Sequence, residues 1–389
     1  MVIREITAHL LELASQYPVI TLTGPRQSGK TTLVREVFKE KAYINLELLD
    51  QREFALADPR GFLRRVPNGA VLDEIQHVPE LLSYIQGITD ESKVNGLFIL
   101  TGSQQFEILN EVSQSLTGRT AILRLLPFSY TEVQNSYGIA SIDHLLCTGF
   151  FPRIYDQHLD PSQALQYYFE TFIERDLRQL VEIRNLSQFQ KFVRLCAGRV
   201  GQLLNLNSLG NDAGVSHTTA REWLSLLQAS YIVFLLEPFH RNLSKRLIKS
   251  PKLYFYDTGL ASYLLGVENV AQMDSHPLRG NLFENLVIAE ILKFRFNQGK
   301  GTNLSFYRDS TGNETDVIYS IAQEILPIEI KSGETVAPDY FKGLRSLEKV
   351  IPSYPFGRIV VYNGSHEETR QDITITGVAG LLQILQKIT

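Results

Sequence analysis

The chain has 389 residues, of which 44% are hydrophobic and 21% charged, and its formal net charge is −4. This composition excludes an intrinsically disordered protein, and the length predicts two or three domains because one hydrophobic core rarely grows so large. The charge excludes a general attraction to nucleic acid, so any such contact requires a local basic patch.

The N-terminus shows no signal-peptide pattern, and no apolar run approaches the roughly 18 residues that a membrane span needs. The two cysteines, Cys147 and Cys196, are far apart, which favours a reducing compartment over a disulfide framework. We therefore expect a cytoplasmic protein with no membrane contact.

A glycine-rich loop of the pattern G-x-x-x-x-G-K-T lies between an apolar run at 19–22 and a helical pattern at 31–38. Such a loop directs backbone N–H groups and a helix N-terminus toward a triphosphate, with Lys30 on the β/γ-phosphates and Thr31 on magnesium. The pattern predicts a P-loop that binds ATP and Mg²⁺. The predicted nucleotide-binding residues are Gly24, Pro25, Arg26, Gln27, Ser28, Gly29, Lys30, Thr31 and Thr32.

A second short apolar run, at 69–72, ends in Asp73 and Glu74. A buried parallel strand ends in this way when its carboxyl end enters an active-site crevice. Asp73 is predicted to hold magnesium, and Glu74 to polarise the water that attacks the γ-phosphate. Without the loop upstream, an ordinary strand followed by a polar turn would be an equal interpretation.

The next predicted strands, at 97–101 and 121–126, add further candidates. Ser103 or Gln104 would sense the γ-phosphate, although Ser103 would equally serve as a helix cap. Arg119 or Arg124 would act as an arginine finger, in the same chain or in a neighbouring subunit, with a surface salt bridge as the alternative for each.

The middle of the chain is predicted to be helical. A connector helix over 162–181 precedes two short helices that meet at Gly214-Val215-Ser216, and a strand at 231–236 follows. This order is typical of a helix-turn-helix with a wing. The wing is basic, which favours phosphate contact, but a protein adaptor is the other interpretation. Its basic residues are His240, Arg241, Lys245, Arg246, Lys249 and Lys252.

The C-terminal third combines a helix at 281–295 that carries Glu284 with a strand that starts near Asp316. Alternation on a further strand places Glu329 and Lys331 on one face. Together these residues resemble the magnesium site of restriction-endonuclease-like folds, in which the carboxylates hold the metal and the lysine positions the attacking water. Glu290 is the alternative acidic ligand, and a structural, inactive site is the competing interpretation.

Several motifs together resemble a widespread prokaryotic family that pairs an AAA-type ATPase domain with a C-terminal domain of unknown function. One departure is that Phe150 stands where the family usually has a second glycine after Gly149. The motifs are Gly24-Pro-Arg-Gln-Ser-Gly-Lys-Thr-Thr, Leu72-Asp-Glu-Ile-Gln, Leu100-Thr-Gly-Ser, Gly118-Arg, Leu125-Leu-Pro-Phe-Ser, Thr148-Gly-Phe-Phe-Pro, Tyr254-Phe-Tyr-Asp-Thr-Gly-Leu, Gly280-Asn-Leu-Phe-Glu-Asn and Ile328-Glu-Ile-Lys.

We therefore predict an α/β protein with three parts: an AAA-type P-loop ATPase domain at 1–155, a connector and winged helix at 156–255, and a restriction-endonuclease-like (PD-(D/E)xK) domain at 256–389. The predicted function couples ATP hydrolysis to nucleic-acid binding or magnesium-dependent cleavage. The alternative is an ATP-gated switch that acts on protein partners. Because AAA-type ATPases often complete their site with a neighbour's arginine, the resemblance also implies a homo-oligomer.

Overall fold

The computed structural model describes residues 2–103, 112, 115–138, 141–173, 186–239, 250–351 and 353–388. Its first part is built on a five-stranded, fully parallel sheet in the order β2-β3-β4-β1-β5. The strands are β1 Val19–Thr23, β2 Ala42–Asn45, β3 Ala70–Asp73, β4 Phe98–Gly102 and β5 Thr120–Arg124. The accompanying helices are α1 Thr7–Gln16, α2 Lys30–Val37, α3 Leu49–Ala57, α4 Pro59–Arg64 and α5 Leu81–Ser92.

The central strands of this sheet are buried on both faces, because helices cover each side. Alternate residues of β1 enter different cores: Val19 packs on one face, and Ile20 and Leu22 pack on the other. Since β4 lies between β1 and β3, the carboxyl ends of these three strands lie side by side. The loop after β1, the carboxylates at the end of β3 and the polar end of β4 are thereby placed together.

The middle of the chain is helical, as expected. Helix α11 (Leu206–Ala213) is followed by Gly214, whose φ of 77° lies in the left-handed region, and Ser216 caps α12 (His217–Ala229). Strand β6 then pairs with β7 as an antiparallel hairpin. The assignment as a winged helix stays a prediction. The bounds are α6 Tyr130–Tyr137, α7 Ile142–Thr148, α8 Pro152–Asp156, α9 Pro161–Thr171, α10 Leu186–Ala197, α11 Leu206–Ala213, α12 His217–Ala229, β6 Val233–Pro238 and β7 Lys252–Phe255.

Two predicted segments lie partly outside the described residues. The connector helix is described only as far as α9 and the few residues that follow it. Most of the basic wing, 240–249, also lies outside, and of its predicted residues only Lys252 is described.

The C-terminal part adds the strands β8 Leu304–Arg308, β9 Glu314–Ile321, β10 Glu324–Lys331, β11 Arg358–Tyr362, β12 Glu368–Arg370 and β13 Ile373–Thr376. With β6 and β7 they form an eight-stranded mixed sheet in the order β12-β13-β11-β10-β9-β8-β6-β7. The hairpin β6–β7 is therefore part of this sheet, because Glu237 and Pro238 pair with Ser305 and Phe306 of β8. A division at residue 255 cuts between strands of one sheet, which sequence patterns had not indicated. The accompanying helices are α13 Thr258–Leu264, α14 Val270–Asp274, α15 Arg279–Asn297, α16 Lys342–Glu348 and α17 Val378–Ile388.

One large hydrophobic core joins the end of the first sheet to the C-terminal sheet and includes residues from Leu126 to Leu385. Helix α15 runs through it and is buried around most of its circumference. Within the described ranges, no helix has both the length and the apolar character to cross a membrane.

Candidate functional site

The glycine-rich loop connects β1 to α2, as its pattern predicts. Gly29 precedes α2 with a φ of 92°. At Gly24 a Cβ atom would lie 2.0 Å from the carbonyl oxygen of Leu125, so only glycine fits against β5. The ammonium of Lys30 is buried and donates hydrogen bonds to the carbonyl oxygens of Gly24 at 2.9 Å and Pro25 at 2.8 Å. The loop carbonyls therefore bind the side chain of Lys30 at the N-terminus of α2.

Asp73 lies at the end of β3 and contacts this loop. The Thr31 hydroxyl donates to Oδ2 of Asp73 at 2.8 Å, which brings together the two side chains predicted to share magnesium. The Tyr43 hydroxyl donates to the same oxygen at 2.5 Å, and Thr101 donates to Oδ1. Burial and the contact with Asp73 raise the pKa of Tyr43, so this hydroxyl stays a donor. Sequence analysis missed Tyr43 and Thr101, although Thr101 lies just before Ser103.

Glu74 and Ser103 are also close. The Ser103 hydroxyl lies 3.3 Å from Oε2 of Glu74 and donates to it, and Gln76 donates to the same oxygen. Glu74 has a left-handed backbone, with a φ of 57°, which turns the chain sharply after β3. The geometry places Ser103 beside the predicted catalytic carboxylate. Gln104, the other sensor candidate, lies outside the described residues.

The two candidate arginines lie at opposite ends of β5: Arg119 just before the strand and Arg124 at its last residue. The carbonyl of Arg119 accepts from Val19, at the amino ends of the strands, and its side chain pairs with Asp90. The phosphate loop is one strand length away, about 16 Å, so an arginine-finger role in its own chain is wrong for Arg119. A role in a neighbour's site stays a prediction. Arg124 is in register with Thr23 at the carboxyl edge, beside the loop.

The other loop residues are placed around α2. Gln27 has a left-handed φ of 60°, and Ser28 is fully buried. Thr32 and Gly29 line a cavity of about 290 Å³ beside the loop. Its wall also includes Arg4, Leu33, Phe128 and Pro152.

The C-terminal candidates converge on the faces of β9, β10 and α15. The Lys331 ammonium lies 2.7 Å from Oε1 of Glu329 and 3.9 Å from Oδ2 of Asp316. Asp316 also accepts a hydrogen bond from the backbone N–H of Ile330 at 2.8 Å. Glu329, Asp316 and Lys331 thus form one cluster, in which Glu329 and Lys331 share the strand face that the alternation predicted.

Glu284 joins this cluster through a residue that sequence analysis had assigned to the wing. Lys252, on β7, is buried, and its ammonium lies 3.0 Å from Oε1 of Glu284 and also pairs with Glu314. Tyr254 donates to the same Glu284 oxygen. Assigning Lys252 to a basic wing that contacts phosphate was therefore wrong, because it is buried and paired with the half-buried carboxylates of Glu284 and Glu314. Its lone position in an apolar strand was the available signal.

The carboxylates of this cluster repel one another, and burial limits their contact with solvent. Burial, followed by the charge of Asp316, raises the pKa of Glu329 to about 8. Burial also raises the pKa of Glu284 to about 7, although Lys252 acts in the opposite direction. The neighbouring carboxylates raise the pKa of Lys331 to about 12, against the effect of burial. The cluster therefore carries more acid groups than its lysines neutralise.

A divalent cation has a partial fit at this cluster. Among the described residues, Oε2 of Glu329 is buried and has no hydrogen-bond partner, and carboxylate oxygens are the ligands that Mg²⁺ prefers. However, no set of three or more histidine, cysteine or acidic side chains in the described ranges is arranged to hold a metal. The alternative ligand Glu290 is engaged elsewhere: it pairs with Lys293 at 2.7 Å and accepts from the backbone N–H of Tyr130.

Comparison with known families divides the chain into three matched regions. Residues 16–134 match a family described as an AAA domain. Residues 139–271 and 279–381 match two domains of unknown function, DUF8612 and DUF4143. The C-terminal match carries no stated activity, so the nuclease-like site stays a prediction.

Relatives extend over almost the whole chain. An uncharacterised protein of Mycobacterium tuberculosis is 28% identical over 376 residues, which is 96% of this chain and 82% of the relative. An uncharacterised protein of Haemophilus influenzae is 22% identical over 343 residues, 79% of this chain and 81% of the relative.

Solved structures resemble the chain more weakly. A Walker-type ATPase of Pyrococcus abyssi is 16% identical and has a TM-score of 0.45, covering 67% of this chain and 94% of its own. AMPPCP-bound DnaA of Aquifex aeolicus is 15% identical and has a TM-score of 0.30, covering 58% and 86%. TM-scores below 0.5 do not establish a common fold. The family match, the loop and the parallel sheet together support an AAA-type P-loop domain over residues 16–134.

Proposed function

We propose that the protein binds ATP with Mg²⁺ at the loop after β1 and hydrolyses it. The observation that carries this proposal is the 2.8 Å hydrogen bond between Thr31 and Asp73, beside Glu74 and Ser103. It brings the loop, the predicted metal ligands and the predicted general base to one edge of the sheet. Thr31 and Asp73 would hold the magnesium ion, which would neutralise phosphate charge when bound.

Each remaining side chain has a role that follows from its position. Lys30 would leave the carbonyls of Gly24 and Pro25 for the β/γ-phosphates, because phosphate oxygens are stronger acceptors for an ammonium. Glu74 would accept a proton from the attacking water, and Ser103 would fix the orientation of Glu74. The cavity beside Gly29 and Thr32 would hold the nucleobase, since its wall is mainly apolar and adjoins the loop.

The decisive experiment measures ATP binding and turnover separately. Glu74→Gln should keep the affinity for ATP·Mg²⁺ but reduce kcat by about 100-fold or more, because only the proton acceptor is removed. Lys30→Ala should instead weaken nucleotide binding. Glu53→Gln, an exposed carboxylate on α3, is the matched control. Native turnover in Glu74→Gln would contradict the assigned role, and absence of ATP binding by the native chain would overturn the proposal.

A second candidate function is magnesium-dependent cleavage of phosphodiester bonds by the C-terminal cluster. The convergence of Glu284, Asp316, Glu329 and Lys331, together with the unpartnered oxygen of Glu329, favours it. Asp316 and Glu329 would hold the metal, and Lys331 would orient the attacking water. The alternative is an ATP-gated switch on protein partners, which the buried Lys252–Glu284 pair favours because it neutralises one of the carboxylates.

The nuclease and the ATP-gated switch can be distinguished by incubating the protein with plasmid and single-stranded DNA in the presence of Mg²⁺ or Mn²⁺. The nuclease proposal predicts cleavage that Asp316→Asn and Glu329→Gln abolish, whereas Glu324→Gln, an exposed carboxylate on the same strand, retains it. No cleavage by the native chain with either metal, with or without ATP, would favour the switch. Nucleic-acid binding by the middle region would appear as salt-dependent DNA affinity.

A further inference from the structure

Arg4 is a buried arginine before α1 that reaches three separate segments. Nη1 donates to the carbonyl oxygen of Ser28, inside the phosphate loop, at 2.7 Å. Nη2 donates to the carbonyl of Leu126 at 2.7 Å, and Nε contacts both carboxylate oxygens of Glu132 at 3.0 Å. The planar guanidinium makes these contacts simultaneously, which an ammonium cannot reproduce. Arg4 therefore holds the loop against the segment that follows β5.

Glu132, the partner of Arg4, fixes the start of α6. Its carboxylate accepts from the backbone N–H of Ser129 at 2.9 Å, in a capping box, and from that of Glu5 at 2.7 Å. Glu132 is buried, so each of these bonds replaces hydration that the carboxylate has lost. The loop, the N-terminal segment and the first turn of α6 are thus joined through one buried ion pair.

The same turn of α6 is bound from the other side by α15. The backbone N–H of Tyr130 donates to Glu290 at 2.7 Å, and the Lys293 ammonium donates to the carbonyl of Phe128 at 2.8 Å. Lys293 also lies 3.6 Å from the centroid of the Phe150 ring. Helix α15 carries Glu284 two turns earlier, in the C-terminal cluster. A continuous set of buried contacts therefore leads from the phosphate loop to that helix.

We propose that Arg4 is a positioning residue for the phosphate loop, and that Arg4, Glu132 and the Glu290–Lys293 pair transmit nucleotide binding to α15. The inference rests on the proposed ATP site. When a triphosphate occupies the loop, a shift of the Ser28 carbonyl that keeps its bond to Arg4 would move the guanidinium together with the Leu126 and Glu132 groups bonded to it. The shift then reaches the N-terminus of α6 and the side chains of α15 that bind it.

The first test compares ATP·Mg²⁺ affinity and turnover in Arg4→Lys with those in Arg64→Lys, an exposed arginine of the same domain. Arg4→Lys should weaken nucleotide binding by about 10-fold, the expected loss for one or two charge-assisted hydrogen bonds. Turnover of saturated enzyme should fall less, because Arg4 does not touch the reacting atoms. Arg4 also lines the cavity proposed for the nucleobase, whereas Glu132 does not, so Glu132→Gln separates positioning of the loop from direct contact and should change affinity in the same direction. Native affinity in Arg4→Lys would overturn the positioning role.

The second test measures hydrogen exchange of the full chain with and without a non-hydrolysable ATP analogue. In the native protein the analogue should slow exchange in 279–297 as well as in the loop. In Lys293→Met it should still protect the loop but no longer protect 279–297, which a merely structural role would not produce. Equal protection of 279–297 in both proteins, or none in the native protein despite bound analogue, would overturn the connection. Failure of the native chain to bind the analogue would instead overturn the proposed ATP site.

Discussion

Gly24 allows the phosphate loop to pack against the end of β5, because its side chain is a single hydrogen atom. The backbone of the loop approaches β5 so closely that a methyl group would lie 2.0 Å from the Leu125 carbonyl oxygen. The conformation, with a φ of 154°, is also one that other residues rarely adopt. The glycine is therefore needed for close packing as well as for the turn.

We expect Gly24→Ala to displace the loop or β5. The free energy of unfolding should fall by about 1–3 kcal/mol, as for other strained backbone positions, and ATP affinity should fall with it. Denaturant unfolding and nucleotide titration measure the two effects. Gly301→Ala, at a position with open space around it, is the control. Native values for both properties in Gly24→Ala would contradict this account.

Glu329 gives the molecule a pH dependence with a definite sign. The folded chain keeps its proton up to a pKa of about 8, whereas an unfolded glutamate releases it near 4.5. The Glu329 carboxyl therefore contributes its full stabilisation below the pKa of the unfolded chain. This stabilisation is lost as the pH rises toward the pKa of the folded chain. Glu329→Gln should flatten the decrease in stability between these pH values in metal-free protein. Thermal unfolding across this range checks it, with Glu324→Gln as control; an unchanged pH profile in Glu329→Gln would refute it.

Among the elements, α13 packs closely against the turn between α7 and α8, so that two of the motifs quoted from the sequence meet there. A Cβ atom on Gly259 would lie 2.5 Å from the backbone nitrogen of Gly149. Asp257 caps α13 and also accepts from the N–H of Phe150 at 2.7 Å. The left-handed backbone is needed at Gly149, where φ is 67°, and Phe150 fills the core. This explains how the chain tolerates a phenylalanine after Gly149.

Gly259→Ala should therefore destabilise the protein by about 1–3 kcal/mol, the usual cost of forcing a methyl group into a packed interior. Gly87→Ala is a matched control, because Gly87 also lies in a helix but has no neighbour within 4 Å of an added Cβ. The control should be neutral or stabilise by about 0.5–1 kcal/mol through helix propensity. Chemical denaturation of both variants measures the difference; equal stabilities would refute the close-contact argument.

The elements that sequence analysis predicted best are those with a strong local pattern. The loop between β1 and α2, the strands that end at Asp73 and Gly102, and the strand that carries Glu329 and Lys331 agree with their patterns. Elements without such a pattern were missed: β2, which supplies Tyr43, is half-exposed and short. The contacts of Arg4 and Lys252 could not be predicted either, because they join residues 24 or more positions apart and depend on packing.

At the scale of the whole molecule, the division into parts follows packing rather than composition. Thr23, at the end of β1, shares a hydrogen bond of 2.9 Å with the hydroxyl of Tyr231, which precedes β6. The main core also runs from the turn after β5 to α17. The AAA-type domain is thus packed against the remainder of the chain instead of being linked to it by an exposed tether.

The hairpin β6–β7 has a practical consequence for anyone who wishes to isolate the far end of the polypeptide. In a fragment that starts at 256, the edge of β8 would be unpaired, because Pro238 and Phe239 would be missing. Glu284 would also lose its contacts with Lys252 and Tyr254. Bare strand edges recruit other chains. Light scattering should show that such a fragment aggregates, whereas the full chain should remain monodisperse. A monodisperse fragment would mean that the hairpin is dispensable.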